Sequence, residues 1–210
     1  MLKHFLRWLF PQPPNVERIE NLSAGDFAAI AARPLEKPPA GILSAFKYRD
    51  PLVRQALWLL KYRGNRRVAK LFAELLSDQF IETVSEEALY ADFSNPIIIP
   101  IPLSHERMKE RGWNQAEMLA RELQKIQPAF ELQIKTLKKI RHTAPQTSLS
   151  RAAREKNLKG CFVVAKPELI KNRNIILIDD VTTTGSTILE ARRALLKSDA
   201  RRVLAFTIAH

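Results

Sequence analysis

Apolar and polar positions recur along this chain with two different periods, and the changes of period mark its elements. From Asp50 the pattern is helical: in "DPLVRQALWLLKYRG" a capping Asp and a first-turn Pro open a helix that Gly64 closes. In "RRVAKLFAELLSDQF", Val68, Leu71, Leu75 and Leu76 fall on one stripe, so a second helix follows across a short basic turn. "NPIIIPIP" is a continuous apolar run bounded by prolines, the pattern of a strand covered on both faces and therefore central in a parallel sheet. Helical spacing returns in "NQAEMLARELQKI" through Ala116, Leu119, Ala120 and Leu123, while "ELQIKTLKKI" alternates as a strand. "GCFVVA" and "IILID" are further strand-like runs, and the helix "STILEARRALLKS" and the strand "RRVLAFTIA" complete the series. Strands alternating with helices predict an α/β fold whose central sheet is mostly parallel and flanked by helices, occupying residues 45–210. Residues 1–44 differ: the proline-rich "FPQPPN" and "ARPLEKPPAG" read as a short amphipathic leader and an irregular arm with no core of its own.

The balance of 46% hydrophobic and 27% charged residues over 210 positions is that of an ordinary globular domain. No apolar run reaches the ~18 residues of a membrane span, and "MLKHFLRWLF" is interrupted by Lys3 and Arg7 with no small-residue cleavage site behind it. A cytoplasmic protein without stable membrane insertion is expected, its leader packed on the domain. The single cysteine, Cys161, lies in an apolar run and reads as a buried, inert thiol. Charge changes the picture more. Lys and Arg number 34 against 22 acids, a formal net charge of +12, which favours polyanionic or phosphorylated partners. The excess is clustered in "LKYRGNRRVAK", with Lys61, Arg63, Arg66 and Arg67, and between Lys135 and Lys159, where Arg151 and Arg154 stand. These six residues form the candidate basic patch for nucleic acid.

The stretch "IILIDDVTTTGST", from Ile175 to Thr187, carries the candidate chemistry. An apolar strand stops at Asp179 and Asp180, and "TTTGST" leads directly into a helix. In open parallel sheets, ligands bind beyond the carboxyl ends of the strands, where such turns lie. The turn's amides can converge on an anion at the positive end of the helix dipole, Thr183, Thr184, Ser186 and Thr187 add hydroxyls, and Gly185 lets the backbone come close. Donors beside two acceptors suit a sugar phosphate, with the phosphate in the turn and the vicinal ribose hydroxyls on the acids.

This stretch resembles the phosphoribosyl pyrophosphate signature of type I phosphoribosyltransferases. The companion segments "LKYRGNRRVAKLFAELL", "IIIPIPLSHERMKERGWNQAEMLA" and "RHTAPQTSLSRAAREKNLKGCFVV" make the chain similar to the ComF family from about Ala45 to His210. The resemblance implies a type I phosphoribosyltransferase-like fold. It places the ligand's 5′-phosphate in Val181, Thr182, Thr183, Thr184, Gly185, Ser186 and Thr187, and the ribose on Asp179 and Asp180. It sets Ser104, Arg107 and Arg111 on the pyrophosphate side; the two arginines lie four apart and would share a helix face. Trp113, next to them, fits packing or a stacking platform equally. The segment "KKIRHTAPQTSLSRAAREKN" takes the place of the loop that closes over substrate, with Arg141, Gln146, Arg151 and Arg154 as candidate cations for the leaving pyrophosphate. Asp179, Asp180 and Arg141 are the expected catalytic residues. Mg²⁺ would be held mainly by the substrate's own oxygens, so no protein metal cage is expected. The family's amino-terminal CxxC pairs, which hold zinc, have no counterpart here, and zinc is not carried over.

Two functions follow from the resemblance. One is accessory: the pocket binds phosphoribosyl pyrophosphate or a nucleotide while the cationic surface handles single-stranded DNA in natural competence, alongside a competence helicase. The other is Mg²⁺-dependent phosphoribosyl transfer to a nucleobase or amine in nucleotide metabolism.

Overall fold

The structure, a computed structural model, describes residues 16–34, 41–141 and 158–210. Its main sheet has five strands: β1 (Ile42–Phe46), β2 (Ile97–Pro100), β3 (Glu131–Leu132), β6 (Asn174–Val181) and β7 (Arg202–Ala209). Their order is β1-β7-β6-β2-β3 and every pairing is parallel. A separate antiparallel pair joins β4 (Leu137–Lys139) to β5 (Phe162–Val164), with Lys138 opposite Val163.

The alternation of strand side chains divides the core between the two faces of the sheet. Ile98, Ile176, Ile178, Leu204, Phe206 and Ile208 point into one cluster, and Ile97, Ile99, Ile175, Leu177, Val203 and Ala205 into the other. The first cluster is closed by α3 (Pro51–Arg63), α4 (Arg66–Ala91) and α6 (Gln115–Ile126). The second is closed by Ile188, Ala191 and Leu195 of α7 (Ser186–Lys197) together with Phe162 of β5. A short α5 (His105–Arg111) follows β2. The central run "IIIP" is buried at every position, as its unbroken hydrophobicity predicts.

Three differences from the sequence reading have physical causes. "ELQIKTLKKI" is two strands in two sheets: Gln133 N–H still donates to Ile98 O (2.9 Å), the chain then bends, and Leu137 starts the antiparallel pair. Both halves are covered on one side, so their alternation shows no break. The arm, in its described part, holds α1 (Val16–Asn21) and α2 (Ala24–Ile30), the latter capped by Ser23 Oγ accepting from Asp26 N–H at 3.1 Å. Ile19, Phe27 and Ala31 are buried in the main core. Finally, β1 begins three residues ahead of position 45, and its Ser44 Oγ lies 2.6 Å from Thr207 Oγ1 of β7, which pairs the polar atom inside the sheet. The leader at 1–15 lies outside the described residues.

Caps follow the sequence closely. Asp50 accepts from Leu52 and Val53 N–H at the start of α3, and Gly64 ends it at φ +59°, with Asn65 then capping α4. A Cβ on Gly64 would lie 3.0 Å from the Trp113 ring, whose Nε1–H donates to Leu60 O at 3.1 Å. Trp113 therefore packs on the α3–α4 turn. We expect Gly64→Ala to cost about 1–2 kcal/mol from the left-handed backbone alone, and more from the displaced ring. Urea unfolding of this variant with parental stability would show that the indole does not rest there.

Candidate functional site

Chain order reverses at the middle of the sheet. From β2 the chain runs outward to β3, whereas from β6 it runs outward the other way to β7, so β2 and β6 are neighbours whose connections diverge. This leaves a crevice outside their carboxyl ends, where α/β sheets bind ligands. Asp179 and Asp180 end β6 at that crevice, level with Thr207 to Ala209 of β7. Ser104, Arg107 and Arg111 rise from the other side, on the segment that follows β2.

The carboxylates are held close together. Asp180 is buried, and its backbone N–H donates to Asp179 Oδ1 at 2.9 Å. Its Oδ2 lies 3.2 Å from Lys61 Nζ near the end of α3. Burial and the adjoining Asp180 carboxylate push the Asp179 carboxyl up to about 8, against weaker pulls from its hydrogen bond, Lys61 and Lys139. Burial, the largest influence on Lys61, would lower it, but Asp180, Asp179 and Tyr48 together outweigh burial, so the ammonium is held above its ordinary value. On Arg111 burial dominates and lowers the guanidinium, with Asp180 and Tyr62 opposing and Arg107 assisting. Lys139 of β4 is likewise lowered, first by burial and then by Arg107, against Cys161 and Asp179. Arg107 acts on both Arg111 and Lys139, and Lys61, Arg111 and Lys139 act with the two acids, a locally cationic crevice suited to a ligand with several negative charges.

The sign of the Asp179 shift gives a prediction. A folded-state value near 8 against an ordinary 3.8 means that the native protein holds a proton the unfolded chain has lost. Stability of the ligand-free protein should therefore fall as pH rises from about 4 to about 8 and level off above, by about 1–3 kcal/mol, allowing for the part of the carboxyl that water reaches. Asp179→Asn should flatten that slope in denaturant titrations across pH; an unchanged slope would assign it to another group.

The turn after β6 is formed as the sequence predicts. Thr182 N–H donates to Ala209 O at 2.9 Å, keeping the chain on β7 for one residue more, and Gly185 then caps α7 at φ +75°. Among the described residues, five other helices have a side-chain acceptor at the N-cap: Ser23, Asp50, Asn65, Ser104 and Asn114. Gly185 offers none, so no side-chain cap closes the start of α7, the positive end of its dipole. Thr184 Oγ1 and Ser186 Oγ are 2.7 Å apart beside them, Thr183 is exposed, and Val181 packs back on the core.

The structure sorts the remaining candidates. Arg107 and Arg111 are both half-buried on one face of α5, whose other residues are exposed, as their spacing predicts. Ser104 Oγ accepts from Arg107 N–H at 3.4 Å as the cap of α5. Arg141 is exposed, and its guanidinium is tied to Lys159 O at the root of the small sheet. Lys61, read as a surface cation, belongs to the acid pair instead, while Arg63, Arg66 and Arg67 are exposed around the α3–α4 turn. Gln146, Arg151 and Arg154 lie outside the described residues. Sequence reasoning missed Lys139 and the role of Lys61. The signal for Lys139 was its place inside the basic segment from Lys135 to Lys159, and for Lys61 none was local, because 119 residues separate it from Asp180 by number. The two acids side by side are too few donors to hold a hard cation, so Mg²⁺ would come with substrate oxygens and water.

Comparison with known proteins agrees with this architecture. Residues 73–210 match the model of the phosphoribosyl transferase domain. The chain is 32% identical over 168 residues to competence protein ComFC of Bacillus subtilis, covering 79% of this chain and 62% of that protein. It is 32% identical over 190 residues to the DNA utilization protein YhgH of Salmonella typhi, covering 87% of this chain and 78% of that one. Competence protein F of Haemophilus influenzae is 38% identical over 114 residues, 53% of this chain and 49% of the relative. The chain thus spans under two thirds of the Bacillus relative's length and about half of the Haemophilus one. With its parallel sheet, its domain match and these relatives, the chain belongs to the ComF family of the phosphoribosyltransferase superfamily.

Proposed function

We propose that the crevice binds phosphoribosyl pyrophosphate, or the ribose and 5′-phosphate of a nucleotide, and that the protein acts in DNA uptake during natural competence by handling single-stranded DNA. The observation that carries the ligand reading is the adjacent pair Asp179 and Asp180 at the switch point, followed at once by a helix start without a side-chain cap. In this reading the acids accept from the vicinal hydroxyls, Val181 to Thr187 receive the phosphate, and Arg107, Arg111 and Lys139 face the pyrophosphate. The competence setting is supported by the names of relatives, which are competence proteins and DNA utilization proteins. A competence helicase as partner and a place in the cytoplasm belong to the same proposal. No helix among the described residues is long and apolar enough to cross a membrane.

A second reading, phosphoribosyl transfer, is favoured by the cations gathered where pyrophosphate would leave. A nitrogen nucleophile would form the bond to the anomeric carbon as the carbon–oxygen bond breaks, pyrophosphate taking the electron pair and the nitrogen losing a proton. Mg²⁺, bound with the substrate, would supply charge neutralisation of the leaving group. Incubation with phosphoribosyl pyrophosphate, Mg²⁺ and a panel of nucleobases and amines separates the two. Binding, seen as a raised melting temperature, without pyrophosphate release supports the accessory role. Release on adding an acceptor establishes the enzyme, and no thermal shift with either phosphoribosyl pyrophosphate or a ribonucleotide removes both.

A further inference from the structure

Beside the crevice, planar side chains follow one another from the end of α5 onto α3. The Arg111 guanidinium lies over the Tyr62 ring at 5.7 Å, the Tyr62 and Trp58 ring centroids are 5.7 Å apart with a 41° tilt, and the Arg63 guanidinium lies over Trp58 at 5.8 Å. Trp58 rests partly on the core, Tyr62 is 37% exposed and Arg63 is exposed. The row runs from Arg111, which answers to Asp180 in the crevice, to the turn at Gly64. Beyond the turn come Arg66, Arg67 and Lys70, all exposed. Arg66 and Arg67 occupy the first turn of α4, where the helix dipole disfavours cations, so helix stability does not account for them. An aromatic pair four apart accounts for only a few tenths of a kcal/mol of helix stability.

We infer that this face of α3 is a stacking surface for the unpaired bases of a single-stranded nucleic acid, with Trp58 and Tyr62 as rings, Arg63 and Arg111 as guanidinium planes, and Arg66, Arg67 and Lys70 meeting the phosphates. Rings interleaved with cations are what a single strand uses, since every base offers a π-face and every linkage a charge. A duplex keeps its bases stacked on each other and meets only the cations. Trp113 takes no part, because it is packed on Gly64. The location outside the crevice rests on the ribose reading of Asp179 and Asp180: deoxyribose lacks one of the two vicinal hydroxyls, so a DNA strand is a poor occupant of the crevice itself. Arg111 belongs to both surfaces and is the physical link between them.

The test is fluorescence anisotropy with a labelled oligothymidylate, using the parent and the variants Tyr62→Ala, Arg63→Gln and Tyr90→Ala. Tyr90 is 88% exposed on α4, away from the row, and is the control for loss of an aromatic ring. Far-UV circular dichroism checks each fold, and Arg63→Gln, at an exposed helix end, keeps the inference testable if Tyr62→Ala folds poorly. Expected are a loss of about tenfold or more for Tyr62→Ala, a smaller loss for Arg63→Gln, no change for Tyr90→Ala, and weaker binding of the matching duplex. The inference is overturned if the parent does not bind the strand, if the folded Tyr62 and Arg63 variants bind as the parent does, or if duplex binds equally well. Titrating the parent with phosphoribosyl pyrophosphate separates the readings: failure there with the row intact refutes the crevice, and binding there with the variants unaffected refutes the row.

Discussion

Asp179→Asn combined with Asp180→Asn is expected to abolish measurable phosphoribosyl pyrophosphate binding while the protein stays folded. Each carboxylate would accept a charge-assisted hydrogen bond from a ribose hydroxyl, worth about 1.5–3 kcal/mol, so losing both weakens binding by about a hundredfold to ten-thousandfold. The effect on folding is smaller, for two reasons. Replacing Asp179 removes little charge from the ligand-free protein, because burial and Asp180 push its carboxyl up to about 8 and it already holds its proton near neutral pH. Removing the Asp180 charge leaves Lys61 without its 3.2 Å partner, yet that side chain keeps 25% of its surface in solvent and can turn outward. Isothermal calorimetry and thermal melting on the same samples check both halves. Unchanged affinity in a folded double variant removes the ribose assignment.

Phe27→Ala is expected to destabilise the domain by about 3–5 kcal/mol, as for other fully buried phenylalanines. Phe27 has no exposed surface, and its ring meets Phe46 of β1 edge-on at 5.5 Å and Phe72 of α4 edge-on at 5.8 Å. The loss would therefore open a void where α2, the first strand and the longest helix converge. A shift of the urea midpoint equivalent to less than about 1 kcal/mol would mean that α2 is not docked on the sheet as described.

Phe27 also shows where the sequence was hard to read. Proline-rich stretches on either side of Val16–Ile30 suggest an arm, and α1 and α2, at six and seven residues, are too short to establish a helical period. Their helicity comes from docking Ile19 and Phe27, a tertiary effect that local pattern does not carry. The same holds for β1, where Ser44 breaks the apolar run and is satisfied only by Thr207, 163 residues away. By contrast, β2 and β6 are buried at nearly every position, and α3 has both caps written in its sequence, so these elements were legible. The acids and the glycine turn were legible for the same reason: strand end, turn and helix start are consecutive. Lys61 and Lys139 were not, because the crevice draws them from α3 and the small sheet, and only the fold brings those segments to Asp179 and Asp180.

The central claim, a ribose-phosphate site on two carboxylates, is tested most directly by calorimetric titration with phosphoribosyl pyrophosphate and Mg²⁺, followed by competition with ribose 5-phosphate and with 2-deoxyribose 5-phosphate. Saturable binding of one ligand per chain is expected, displaced by ribose 5-phosphate and distinctly less well by the deoxy sugar, which lacks one of the vicinal hydroxyls. No binding, or equal displacement by the two sugars, would contradict the claim.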